Sequence, residues 1–150
     1  MIKHMKKCYL DTNILVYLKN NDSPFYSKSI NLIKYLIKKN YTLIISPLII
    51  DEFLHQFRLL LIAKNRKYIF PNLTTALKQT LALPKLKIIN PPLTNQSQLK
   101  VIALMQKFSL RPRNAYHLLT MKTHKIKYFA TFDNDFKKVF KQKILSPINA

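Results

Sequence analysis

Short apolar runs alternate with stretches of helical period along this whole chain, and that alternation leaves few architectures open. The runs are Cys8-Tyr9-Leu10, Thr42-Leu43-Ile44-Ile45, Leu86-Lys87-Ile88-Ile89, Tyr128-Phe129-Ala130 and Lys143-Ile144-Leu145. Each is rich in β-branched or aromatic residues and short enough for a strand. A strand that leads through a helix to another strand crosses over right-handed and lies parallel to it. The expected fold class is α/β, a three-layer α/β/α arrangement around a central, mainly parallel, five-stranded sheet. The first run is apolar on both faces, as a central strand requires. No repeat or linker breaks the pattern, so residues 1–150 read as one domain.

Capping residues place the helices between the runs. Ser23-Pro24 opens a helix carrying Ile30, Ile33 and Ile37, and Asn40 stands where glycine would normally end it. Ser46-Pro47 opens the next, through Ile49, Phe53, Phe57 and Leu60, with Lys64-Asn65-Arg66-Lys67 ending its apolar stripe. Further helices are expected around Leu73 to Leu81, Ser97 to Phe108 and Arg113 to His124. The apolar residues of Leu59 to Ile62 and Leu73 to Leu83 read as core, the alternative being a groove for a second copy or a partner.

Composition narrows the function. The chain has no glycine, which excludes the phosphate-cradling loops of P-loop and dinucleotide-binding proteins. Lone Cys8 forms no intrachain disulfide and suits a reducing compartment. No apolar run reaches membrane-spanning length, and Met1 to Lys7 leads into no signal-peptide core, so a cytoplasmic protein is expected. A net charge of +20 exceeds the ~2–8 units that solubility asks of a small domain, which points to a polyanionic or acidic partner.

Six acids in 150 residues make their positions informative. Asp11 follows the first run, Asp51 and Glu52 lie on the helix after the second, and Asp133 and Asp135 follow the fourth; Asp22 stands apart. Ligands of open parallel sheets bind beyond the carboxyl ends of the strands, where these three junctions open, so the acids should converge. Gathered carboxylates repel unless a cation joins them, and hard oxygen donors favour Mg²⁺ or Mn²⁺. Helix capping by Asp11 and Asp133 is the plainer alternative. Adjacent helical residues point about 100° apart, so only one of Asp51 and Glu52 faces a small site. Glu52 and His55 share the spacing of a di-iron helix pair, but a chain with one glutamate cannot build that site. His55, His117 and His124 read as packing or surface residues.

Four motifs in order resemble the PIN domain: Leu10-Asp11-Thr12-Asn13, Ser46-Pro47 leading to Glu52-Phe53, Leu110-Arg111-Pro112-Arg113-Asn114-Ala115-Tyr116-His117-Leu118, and Thr131-Phe132-Asp133-Asn134-Asp135-Phe136. The similarity is greatest to VapC-type toxins of toxin–antitoxin pairs and runs from about Lys7 to Val139. It implies a Mg²⁺- or Mn²⁺-dependent endoribonuclease, often homodimeric, held inactive by a small antitoxin. It matches Asp11, Glu52 and Asp133 to the family's acidic residues, selects Glu52 over Asp51, and makes Asp135 an accessory acid. Asn114 stands where the family commonly carries Asp; an amide keeps the shape but brings no charge.

On this reading Asp11 and Asp133 are principal metal ligands, Glu52 holds a water or acts as base, and Asn114 completes the catalytic set. Thr131 and Asn13 orient water or the carboxylates, and Arg111, Arg113, Lys137 and Lys138 contact RNA phosphates. Two alternatives remain: a catalytically impaired module that binds RNA or an antitoxin, and an RNA-processing nuclease without an antitoxin.

Overall fold

The computed structural model describes residues 4–148. Its elements run β1 (Lys7–Leu10), α1 (Thr12–Tyr17), α2 (Tyr26–Lys38), β2 (Thr42–Ile45), α3 (Pro47–Ala63), α4 (Ile69–Leu81), β3 (Leu86–Ile88), α5 (Asn95–Phe108), α6 (Pro112–Thr123), β4 (Tyr128–Ala130), α7 (Lys137–Lys141) and β5 (Ser146–Pro147). The five strands form one all-parallel sheet in the order β3-β2-β1-β4-β5, flanked by the helices as the alternation requires. Strand β1 lies in the middle, with Cys8, Tyr9 and Leu10 fully buried. Its neighbours β2 and β4 lead into different parts of the chain, so the sheet reverses winding direction at β1. That reversal opens a crevice at the carboxyl ends of the strands.

Local sequence explains the helix ends. Ser46 caps α3, its hydroxyl accepting from Ile49 N at 3.4 Å with Pro47 in the first turn, and Thr94 caps α5 through Ser97 N at 3.2 Å. Without glycine, left-handed backbone falls on other residues: Asn40, Asn65, Tyr68, Lys85, Ser109, Lys125 and Lys143 all have φ between 53 and 63°. Asparagine tolerates that region, whereas Tyr68 and the lysines hold it at a cost of roughly 1–2 kcal/mol each.

Four expectations need correction. Ser23-Pro24 does not open α2, which begins at Tyr26 behind Phe25 with no side-chain cap bond, because the Ser23 hydroxyl accepts from Phe25 N at 3.1 Å within the preceding turn. The fifth strand lies at Ser146–Pro147 and not at Lys143 to Leu145, because Lys143 is the left-handed residue closing α7, and pairing starts where Ser146 N donates to Lys127 O at 2.7 Å. The helix expected from Leu73 begins at Ile69. The apolar stretches on α3 and α4 are only partly core: Leu61 and Leu73 are buried, while Leu59, Ile62 and Leu81 are exposed. Among the described residues no helix is long and apolar enough to cross a membrane.

Candidate active site

Asp11 lies at the carboxyl end of β1, where its backbone N still bonds to Ala130 O of the neighbouring strand. Its carboxylate is almost enclosed. Oδ1 accepts from Thr12 N at 2.8 Å, while Oδ2 accepts from Thr131 Oγ1 at 2.6 Å and from Asn13 Nδ2 at 3.3 Å. Thr131 Oγ1 also accepts from Asp133 N at 3.0 Å, so one hydroxyl ties the ends of β1 and β4 together. Asp11 therefore does cap α1. Capping does not account for Asp133, which stands on the turn after β4, well before α7 begins at Lys137.

Glu52 approaches from α3. Its Oε2 accepts from Thr12 Oγ1 at 3.1 Å, and its Oε1 lies 2.7 Å from His117 Nε2 and 3.6 Å from Arg113 Nε. Behind it runs a buried polar chain that the sequence reading did not anticipate. His117 Nδ1 is 2.7 Å from the Tyr9 hydroxyl, which is 2.7 Å from Ser46 Oγ. One proton arrangement satisfies every member. Ile49 N–H donates to Ser46, Ser46 to Tyr9, Tyr9 to Nδ1 of a neutral imidazole, and its Nε2–H to Glu52. Burial pushes the Tyr9 phenol upward, which keeps its proton in place. His117 is thus neither surface nor inert packing: it is 1% exposed with both ring nitrogens partnered. The available signal was a histidine on the apolar face of α6 in a chain with a single glutamate.

An open cleft of about 630 Å³ adjoins this floor, lined among others by Glu52, Asp133, Asp135, Asn114, Arg111 and Arg113, while Asp11, Asn13 and Thr131 are not among its lining residues. Asn114, in the first turn of α6, donates from Nδ2 to Asp135 Oδ2 at 3.1 Å. Asp51 faces a different groove, between α3 and α4, together with His55. His124 meets Asn90 O at 2.9 Å, away from the cleft. Lys137 and Lys138 lie on α7 and are not among the cleft-lining residues; Lys138 Nζ bonds to Ser109 Oγ at 2.7 Å.

The carboxylates feel one another. Asp11 is pushed up to about 6, chiefly by burial and in part by Asp133, against the pull of the Thr131 hydroxyl and the Thr12 N–H. Asp133 is also raised, by burial first and then by Asp135 and Glu52. The convergence is looser than expected from sequence, because no three of the described Asp, Glu, His or Cys residues meet closely enough to cage a metal ion. Mg²⁺ does not need such a cage: it keeps several waters and is held by one or two carboxylates plus substrate phosphate. The donors are hard carboxylate oxygens, which suits that ion.

The model for the PIN domain family matches residues 8–141, and so takes in all these site residues. The chain belongs to the PIN domain family. Its fold is shared with solved structures of low sequence identity. VapBC2 from Rickettsia felis, bound to a DNA fragment from their promoter, aligns at TM-score 0.66 and 18% identity over 95% of this chain and 98% of that one. FitAcB from Neisseria gonorrhoeae aligns at 0.62 and 17%, over 95% and 96%. VapC20 from Mycobacterium tuberculosis, described as a sarcin-ricin loop cleaving toxin, aligns at 0.59 and 15%, over 88% and 94%. At these identities the likeness establishes the PIN fold alone. No curated protein matches the sequence.

Proposed function

We propose that this PIN domain is a divalent-metal-dependent endoribonuclease and the toxin of a toxin–antitoxin pair. The observation that carries the reading is the cleft itself, where Glu52, Asp133 and Asp135 share one cavity with Arg111 and Arg113. A phosphodiester needs both: positive groups to receive its phosphate and carboxylates to manage a cation and a proton. Asp11, Asp133 and Glu52 would hold Mg²⁺ or Mn²⁺, which supplies Lewis acidity at the phosphoryl group.

The chain's own residues do the rest. Arg111 and Arg113 bind the flanking phosphates, and Thr131 and Asn13 keep the Asp11 carboxylate in one orientation. Glu52, its Oε1 held by His117 and its Oε2 by Thr12, accepts the proton of the attacking water. Asn114 orients Asp135 without adding charge, so catalysis is weaker than with Asp at that position. The apolar groove of about 470 Å³ between α3 and α4, lined by Leu54, Phe70, Leu73 and Leu77, offers an antitoxin helix a seat. Exposed Leu99 and Ile102, one turn apart on α5, suit a homodimer contact. The protein acts in the cytoplasm, where its RNA substrate lies.

The test is cleavage of total cellular RNA with and without Mn²⁺, using this chain beside its Asn114→Asp and Asp11→Ala variants. Metal-dependent cutting that Asp11→Ala abolishes supports the assignment. If neither this chain nor Asn114→Asp cuts RNA with Mn²⁺ present, the nuclease reading is wrong.

A further inference from the structure

Charge in this fold is sorted by strand end. Five of the six acids stand at or beyond the carboxyl ends of the strands, and the sixth, Asp22, is paired with Lys64 at 2.8 Å. The opposite ends are lined with lysine. Lys6 precedes β1 and Lys7 begins it, Lys38 and Lys39 precede β2, and Lys85 precedes β3. Lys125 and Lys127 precede β4, and Lys143 precedes β5. All eight are exposed.

The backbone ladder shows that they form one row. Thr42 N donates to Lys6 O at 2.8 Å, Leu43 N to Lys85 O at 3.0 Å and Ser146 N to Lys127 O at 2.7 Å, so the lysine-bearing ends abut strand by strand. In the middle, Lys6, Lys7, Lys125 and Lys127 line a cavity of about 370 Å³ with His4 and no carboxylate. Lys6 Nζ is held between the Tyr41 and Tyr128 rings, at 5.7 and 6.0 Å. Among the described residues none of the eight lysines pairs with an acid. With strands about 4.8 Å apart, the row is about 19 Å long.

Helix dipoles explain only a fraction of this. Helices α2, α4, α6 and α7 end on this side, and each carboxyl terminus carries about half a negative charge. About two units of negative charge therefore face eight lysines. The excess is unneutralised, and like charges held in a row lower their energy by binding a linear polyanion.

We propose that this lysine row is a second binding surface for the phosphate backbone of single-stranded RNA, separate from the catalytic cleft. Lysine is a flexible, strongly hydrated point charge that suits phosphate contact without base readout. From Lys7 to Asp11 the chain covers about 13 Å at about 3.3 Å per residue, so an RNA that curls over one edge of the sheet reaches both places. The role of the row as a substrate exosite rests on the ribonuclease reading; its affinity for phosphate backbone does not.

The experiment compares this chain with a Lys6→Gln, Lys7→Gln, Lys125→Gln, Lys127→Gln variant and with the corresponding Lys→Arg variant. The probe is fluorescent single-stranded RNA of about 20 nucleotides in EDTA, longer than the ~4–16 that one groove covers. The Gln variant is expected to bind at least about ten-fold more weakly, with a salt slope shallower by about 0.7 per lost contact, while the Arg variant binds as the parent does. DNA of the same length, losing affinity equally, assigns the contact to phosphate alone; an RNA-only loss adds the ribose hydroxyl. Unchanged RNA affinity overturns the proposal. So does loss of binding to phosphatidylserine vesicles with RNA binding intact.

With Mn²⁺ present, KM should rise for the long RNA at unchanged kcat, and an oligonucleotide of about four nucleotides should be cut as before. Absence of cutting in every chain, Asn114→Asp included, removes the nuclease reading and leaves the binding result to decide the row.

Discussion

His117 Nε2 donates to Glu52 Oε1 at 2.7 Å from a ring whose other nitrogen is anchored by Tyr9, itself bonded to Ser46. The carboxylate facing the cleft is therefore aimed from the ends of β1 and β2 through one imidazole. His117→Leu leaves Tyr9 and Glu52 each short of a buried partner, at a cost of about 1–3 kcal/mol per group. We expect a lower denaturation midpoint and cleavage reduced to the level of Glu52→Gln. The Glu52→Gln, His117→Leu double variant should be little worse than Glu52→Gln alone. Multiplicative losses would show that His117 acts independently of Glu52.

Asn114 donates to Asp135 at 3.1 Å, a bond that an aspartate cannot make. Asn114→Asp replaces it with carboxylate repulsion, so the metal-free variant should melt slightly lower. Mn²⁺ then gains a donor, and losses of about 10–100-fold are typical when a supporting group of a metal site is removed. Cleavage in Mn²⁺ is expected to rise about ten-fold or more over this chain. Equal activity of the two proteins would mark Asn114 as a tolerated residue.

Burial raises Asp11 from 3.8 to about 6, with Asp133 adding to the shift. A raised carboxyl binds its proton more tightly folded than unfolded, so its ionisation opposes folding. Metal-free stability should fall as pH rises from about 4 to 6, by up to about 3 kcal/mol at about 1.4 kcal/mol per unit, and level off above. Asp11→Asn flattens that slope, and Mn²⁺ at neutral pH restores the lost stability. Urea unfolding at several pH values, with and without Mn²⁺, measures both. A slope that survives Asp11→Asn would exclude Asp11 as its source.

Tyr68 holds φ 58°, ψ 53° just before α4 with its side chain 77% exposed. Glycine there removes the left-handed cost of roughly 1–2 kcal/mol and adds about 0.5–1 kcal/mol of unfolded-state freedom. Tyr68→Gly should therefore stabilise the chain by up to about 1.5 kcal/mol, read as a higher midpoint. A lower midpoint would mean that the ring contributes packing its exposure does not suggest.

Much of this was legible because alternation and capping are local. The end of β2, the Ser46 cap, the Asn40 helix stop and the junctional acids need only neighbouring residues to be read. Helix α1 was not, because Ile14, Leu15 and Val16 are all buried and show no 3.6-residue stripe against a polar face. Strand β5 was displaced because Ile144 and Leu145 are apolar for packing, while pairing begins only at Ser146. The Tyr9–His117 contact spans 108 residues, and only the crossovers of the sheet bring it about.

The placement of Cys8 also makes the protein its own reporter. Its thiol is 0% exposed on the central strand and pushed up to about 12 by burial, so no alkylating reagent meets a thiolate in the native state. It is the chain's one cysteine. Labelling kinetics at this single sulfur would time the opening of the middle of the sheet directly, without an introduced probe.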